Sequence, residues 1–107
     1  MALEVTESDQ DGMRVIHVCG EVDLNTSPTL RTAILAALNG GRNVGVELSK
    51  AEYMDSSGVA TLVEGLKLSK HSGQCICLLD PSQAVLKVLQ LARLDSLFEI
   101  HNSDERA

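Results

Sequence analysis

Val44-Gly45-Val46-Glu47-Leu48, followed after a short connection by Met54-Asp55-Ser56-Ser57-Gly58-Val59, decides how this chain folds. The alternation of Val44, Val46 and Leu48 has the period of a half-buried strand. Beyond the serines the period changes, and Val59, Leu62, Val63 and Leu66 recur at helical spacing. A strand passing into a helix is the first half of a β-α-β unit, whose right-handed crossover makes its strands parallel. Two hydroxyls therefore stand at or near a helix start, where backbone N–H groups are unpaired and a partial positive charge collects. Asp and Ser are favoured caps there, and a phosphate binds well at the same kind of place. The tetrapeptide has two readings, a helix cap and a phosphoacceptor serine.

Working outward, the pattern repeats. Leu3 to Thr6 reads as a short strand, Ser8 to Gly12 as a turn, and Met13 to Cys19 as a second, β-branched strand, so the chain opens with a hairpin. His17 within that run reads as a core or edge residue. Gly20 to Asn25 is a polar loop. Ser27-Pro28 reads as N-cap and first helical residue. Leu30, Ala33, Ile34, Ala37 and Leu38 then recur at helical spacing until Asn39-Gly40-Gly41, where glycines end the helix. The second helix runs to about His71 and stops at Gly73. Cys75 to Leu79 is a continuous apolar run, typical of a central strand. Asp80-Pro81-Ser82 opens a third helix with Val85, Val88, Leu89 and Ala92 inward, and Leu97 to Ile100 is a last strand. The order predicts an α/β domain with a mixed, mostly parallel sheet, an N-terminal hairpin and helices packed mainly on one face. One domain spans 1–107, with a core of about 3–100 and a polar tail at 101–107.

Composition narrows the function. Apolar residues make up 44% of 107 residues, but Tyr53 and Phe98 are the only aromatics. The core must be aliphatic, and no stacking platform for single-stranded nucleic acid exists. The formal charge is −6 with Lys and Arg scattered, which excludes the basic stripe of a nucleic-acid binder and disfavours direct contact with anionic membranes. A partner with a basic patch suits such a surface. Three cysteines, Cys19, Cys75 and Cys77, lie in apolar runs and read as reduced core thiols of a cytoplasmic protein. Cys75 and Cys77 share one strand face, with no second ligand pair at metal-site spacing. The first apolar run is interrupted by Glu4 and Glu7 and is too short for a signal peptide.

Catalytic motifs are missing. No G-x-S-x-G elbow surrounds either serine, three scattered histidines make no triad, and neither phosphate-binding glycine motif occurs. Glu21 and Asp23 form an acidic pair of the kind that is usually solvated in a loop. The direct reading is a binding module without catalytic residues, metal or cofactor.

Three stretches together resemble the STAS family, and within it the bacterial anti-sigma factor antagonists. They are Val18-Cys19-Gly20-Glu21-Val22-Asp23-Leu24, then Val46 to Ser49 through Met54 to Val59, then Leu91 to Phe98. The resemblance implies a regulator whose unphosphorylated form binds a serine-kinase anti-sigma factor and releases the sigma factor. It implies that the kinase switches this protein off by phosphorylating a loop serine, and that a PP2C-type phosphatase resets it. Carried over, Ser56 is the acceptor, Ser57 caps the helix and Gly58 lets the backbone turn closely. Asp55 and Asp23 then lie beside the acceptor, with Glu21 in the neighbouring loop. Ala60 and Arg93 depart from the family pattern, standing where glycines are common. The alternative resemblance is to a STAS subunit of a membrane lipid or organic-solvent ABC transport complex bound to its ATPase. Those relatives usually carry Thr and Gly after the aspartate, so Ser56-Ser57 favours the signalling branch.

Overall fold

Apolar residues at every second strand position and along one stripe of each helix leave a single way to exclude water, with the helices laid over one face of a sheet. The computed structural model describes residues 3–103 and has this form. The elements are β1 (Leu3–Gln10), β2 (Met13–Val22), α1 (Ser27–Asn39), β3 (Asn43–Met54), α2 (Ser56–Ser72), β4 (Ile76–Leu79), α3 (Gln83–Leu91) and β5 (Glu99–His101). The five strands lie in the order β1-β2-β3-β4-β5. Only the β1–β2 pair is antiparallel. The predicted hairpin, parallel sheet and helix count all hold.

The core is aliphatic. Ile16, Val18, Val22, Val44, Val46, Leu48, Ile76 and Leu78 of the sheet meet Leu30, Ile34 and Leu38 of α1, Val59 and Leu62 of α2, Val85 and Leu89 of α3, and Phe98. Leu3 and Val5 of β1 pack against this cluster, so the alternate residues Glu4, Thr6 and Ser8 lie on the opposite, open face. A small second cluster of Val15, Cys77 and Leu79 with Met13 also lies apart from the helices.

Several expectations need correction. β1 continues to Gln10, leaving only Asp11 and Gly12 for the turn, both at positive φ. β2 runs on through Gly20-Glu21-Val22, and β3 runs on from Leu48 to Met54. Both extensions hide their period because β2 and β3 slip register between His17 and Cys19 and again between Gly20 and Glu21. Helix α1 begins one residue earlier than expected, with Thr26 at its N-cap and Pro28 in its first turn. Ala92 is exposed because α3 ends at Leu91. Of the thiols only Cys77 is buried: Cys19 alternates onto the open face, and Cys75 precedes β4. His101 ends β5 and so does not belong to the tail, while residues 104–107 lie outside those described. Arg93 adopts φ +59°, in the left-handed region that glycine enters freely.

On α2 the expected inward residues hold, with Val59 and Leu62 buried and Val63 and Leu66 packed at the margin. Lys67 and Lys70 are exposed. Glu64, also on the solvent side, reaches across to Arg31 of α1 in a two-pronged surface pair at 2.7–2.8 Å. The α1–α2 crossing is close because Gly65 presents no side chain: a Cβ there would stand 2.9 Å from the Ile34 Cγ2 methyl. Leu62, fully buried between these layers, tests the arrangement. Leu62→Ala should lower stability by about 2–5 kcal/mol in chemical denaturation, and a loss below about 0.5 kcal/mol, the range of ordinary surface changes, would contradict this packing.

Candidate functional site

The carboxyl ends of β2 and β3 are neighbours in the sheet, with Val22 in register with Met54. Each runs directly into the loop and helix that follow. The two connections are tied together, since the Asp55 N–H donates to the Val22 carbonyl at 3.1 Å. One surface therefore carries Asp23-Leu24-Asn25 on one side and Asp55-Ser56-Ser57 on the other.

Asp55 is the N-cap of α2, and the expectation that Ser57 caps this helix is corrected: Ser57 is its second residue and donates to the cap. The Asp55 Oδ1 accepts from the Ser57 N–H at 2.9 Å, the Gly58 N–H at 3.3 Å and the Ser57 hydroxyl at 2.5 Å. Its carbonyl accepts from the Val59 N–H. The Ser57 hydroxyl holds the Asp55 carboxyl below the usual carboxylate range, helped by the N–H groups of Ser57, Gly58 and Leu24 against the cost of partial burial. The anion-binding end of this helix is thus already filled by a carboxylate of the chain itself.

The two serines separate clearly. Ser57 is half-buried with its hydroxyl committed to Asp55. Ser56 is the first residue of the helix and is exposed, and its hydroxyl has no hydrogen-bond partner among the described residues. Gly58 is buried for steric reasons: a Cβ would stand 2.6 Å from Met54 Cγ and 2.8 Å from Val22 Cγ1. Thr61 is buried, and its hydroxyl donates to the Ser57 carbonyl.

Asp23 is near but turned to its own loop. Its Oδ1 accepts from the N–H groups of Asn25 and Thr26, at 2.9 and 3.0 Å, and from the Thr26 hydroxyl at 3.1 Å. Its carbonyl takes the N–H groups of Thr26 and Ser27. Asp23 therefore closes the start of α1, a task that sequence reasoning had given to Ser27. Glu21 lies in β2 and not in the loop, paired in register with Tyr53, and its carbonyl accepts the Thr26 hydroxyl at 2.8 Å. Two residues of this surface escaped the sequence reading. Leu24 is 75% exposed in the first connection, and Tyr53 is 48% exposed near the end of β3. Their signal was an apolar residue inside a polar loop and the chain's one tyrosine directly before Met54-Asp55.

Among the described residues, no group of three or more His, Cys, Asp or Glu could hold a metal ion, and no helix is long and apolar enough to cross a membrane. The site consists of one free hydroxyl, a fixed carboxylate and two exposed apolar side chains, with carboxylates around them. Exposed apolar side chains ringed by polar and charged groups are a common make-up of protein-contact surfaces.

The comparisons with known proteins agree with that class. The family described as "Mlab, STAS domain" matches residues 5–99, and the chain belongs to the STAS domain family. An anti-sigma-B factor antagonist of Staphylococcus aureus is 26% identical over 106 residues, 98% of each chain. A crystal structure of a putative anti-sigma factor antagonist from Thermotoga maritima superposes with a TM-score of 0.86 at 24% identity, covering 95% of this chain and 89% of that one. The Bacillus cell fate determinant SpoIIAA in its phosphorylated form superposes with a TM-score of 0.71 at 23% identity, covering 98% and 96%. The relatives it resembles at this low identity are named anti-sigma factor antagonists.

The cap carries a pH signature. A carboxyl whose folded pKa is lowered stabilises the fold above its unfolded value, about 3.9, and that stabilisation disappears as pH falls through the folded value. Asp55→Ala should cost about 0.5–2 kcal/mol at neutral pH. Asp55→Asn keeps a capping oxygen, so it should retain much of that stability while removing part of the decline in melting temperature on acidification. An unchanged acid decline in Asp55→Asn would contradict the assigned role.

Proposed function

We propose that this protein is an anti-sigma factor antagonist switched by phosphorylation of Ser56. Unphosphorylated, it binds a serine-kinase anti-sigma factor in the cytoplasm and frees the sigma factor. Phosphorylation ends the binding, and a PP2C-type phosphatase restores it. The observation that carries this reading is the contrast between the serines: Ser56 is exposed and unpartnered, whereas Ser57 is held by Asp55. A hydroxyl must leave the protein surface to enter a kinase site, and only Ser56 can do so without breaking the cap.

Charge explains the switch. A phosphate on Ser56 adds about −1.5 to −2 charges. Asp55 already holds the N–H groups of Ser57 and Gly58, so the phosphate cannot settle onto them without displacing it. It would stand outward, repelled by Asp55 and facing whatever partner covers the loop. The fold keeps its contacts while the surface becomes more negative and changes shape locally. SpoIIAA, of the same fold, has been solved in a phosphorylated form, so the fold accommodates the modification. Asp23 and Glu21 serve here as supports of the surface, through the loop they close and the strand they occupy.

The alternative, a STAS subunit bound to the ATPase of a membrane lipid or organic-solvent transport complex, needs no phosphate cycle. Mass spectrometry after incubation with the partner kinase and ATP should find one added phosphate, lost in Ser56→Ala and kept in Ser57→Ala. Calorimetry should find Ser56→Ala binding the kinase like the wild type. Ser56→Asp should bind about tenfold or more weakly, a change of about 1.4 kcal/mol, with no change in circular dichroism. Equal affinity for all three forms, or a phosphate only on Ser57 or Thr61, would reject the switch.

A further inference from the structure

The open face of the sheet, away from α1, α2 and α3, brings together three residues distant in sequence. The Ser8 hydroxyl of β1 lies 2.9 Å from Nε2 of His17 in β2, nine positions away. Nδ1 of the same ring lies 3.4 Å from Oε1 of Glu47 in β3, thirty positions further on. Strand register holds them there, since Thr6 and Glu47 are the partners of His17 in the two adjoining strands. Glu47 is itself fixed, with its Oε2 accepting the Ser49 N–H at 3.0 Å. Beside His17 opens a cleft of about 370 Å³ lined by Glu4, Thr6, Cys19, Glu47 and Lys50.

With the ring neutral, an ionised Glu47 only accepts and so favours the tautomer with the proton on Nδ1. In that form Nε2 keeps its lone pair and the Ser8 hydroxyl is the donor. The line hydroxyl–imidazole–carboxylate is the arrangement that activates a serine: a base within hydrogen-bond reach, and a third group that orients the base. Glu47 is only 17% exposed along its side chain and His17 35%, so the pair is partly shielded while the imidazole is still reachable from the cleft.

We propose that Ser8 is an activated serine that accepts an acyl group from small activated acyl compounds, thioesters or acyl phosphates, on the open face. Ser8 Oγ attacks the acyl carbon and forms the C–O bond of an ester. The acyl carbon's bond to the thiolate or phosphate leaving group breaks, and that group departs with the electron pair. The Ser8 proton passes to His17 Nε2 and from there to the leaving group or to water, and no oxidant or reductant takes part. A serine within a strand does not offer the paired N–H groups of an oxyanion hole, so the reaction is a stoichiometric acylation and not rapid turnover. Glu47 is a positioning residue that acts through His17.

The test uses the full chain with p-nitrophenyl acetate and, separately, a fluorophosphonate probe, read by intact mass and peptide mapping. One label should appear on Ser8 when the folded protein is treated, and none when the protein is treated while thermally unfolded. Ser72→Ala, at the far end of α2, should label like the wild type. His17→Gln should slow labelling roughly 100-fold, the lower end of what a general base contributes. Glu47→Gln, which keeps the side-chain shape, should slow it with an unchanged melting temperature. Should His17→Gln fail to fold, Glu47→Gln gives the same reading. Label on Cys19 or Lys50 in place of Ser8, no label at all, or Ser8 labelling at the wild-type rate in either folded variant overturns the proposal.

Discussion

The close seating of α2 on the ends of β2 and β3 is the constraint from which the rest follows. Gly58 lies against Met54 and Val22 with no room for a methyl group. That closeness brings the first turn of α2 to the sheet, where Asp55 can receive the N–H groups of Ser57 and Gly58 while its own N–H reaches Val22. A side chain at Gly58 would push the turn away and loosen both sets of bonds. The gain in helix propensity from alanine, about 1 kcal/mol, is smaller than the 1–3 kcal/mol typical of an overpacked core. Sterics and capping therefore fix one geometry, and that geometry leaves Ser56 facing outward.

Two adjacent serines of equal intrinsic chemistry are thereby made unequal. Ser57 gives its proton to Asp55, and its peptide N–H is bound to the same oxygen. Ser56 keeps a free hydroxyl at an exposed position. The surrounding surface repeats the division between fixed and free. Asp23 and Thr26 are consumed in closing the start of α1, whereas Leu24 in the first connection and Tyr53 near the end of β3 stand out as exposed apolar side chains. Exposed apolar side chains amid carboxylates suit a partner with an apolar socket and a basic rim.

How much the sequence disclosed depended on the range of the interaction concerned. Strand and helix periods are local, so the element order, the hairpin and the buried face of α2 could be read directly. Val59 and Leu62 are where their spacing puts them. Register is not local. The slips between β2 and β3 concealed that both strands run on to Val22 and Met54, and so placed Glu21 in a loop. Loop hydrogen bonding was equally hidden: Ser27 looked like the cap of α1, yet Asp23 four residues earlier does the work. Among the site residues, residue type left both Asp and Ser as possible caps and the resemblance gave the role to Ser57, whereas the hydrogen bonds give it to Asp55. The difference between Ser56 and Ser57 was equally hidden, because it turns on which hydroxyl a single carboxylate oxygen reaches. The grouping of Ser8, His17 and Glu47 depends on pairing across three strands and has no linear signal.

The sheet places its strands in the same order as the chain does, β1 to β5. Every new strand is laid beside the one made just before it, so each closure spans only a hairpin or one crossover helix, and the entropy of long loops is never incurred. Assembly can then advance by accretion as the polypeptide leaves the ribosome at about 5–20 residues per second. The exposed edge of each partial sheet waits only for the next segment of the same chain. A domain built in this sequence has little opportunity to pair a growing edge with the wrong strand.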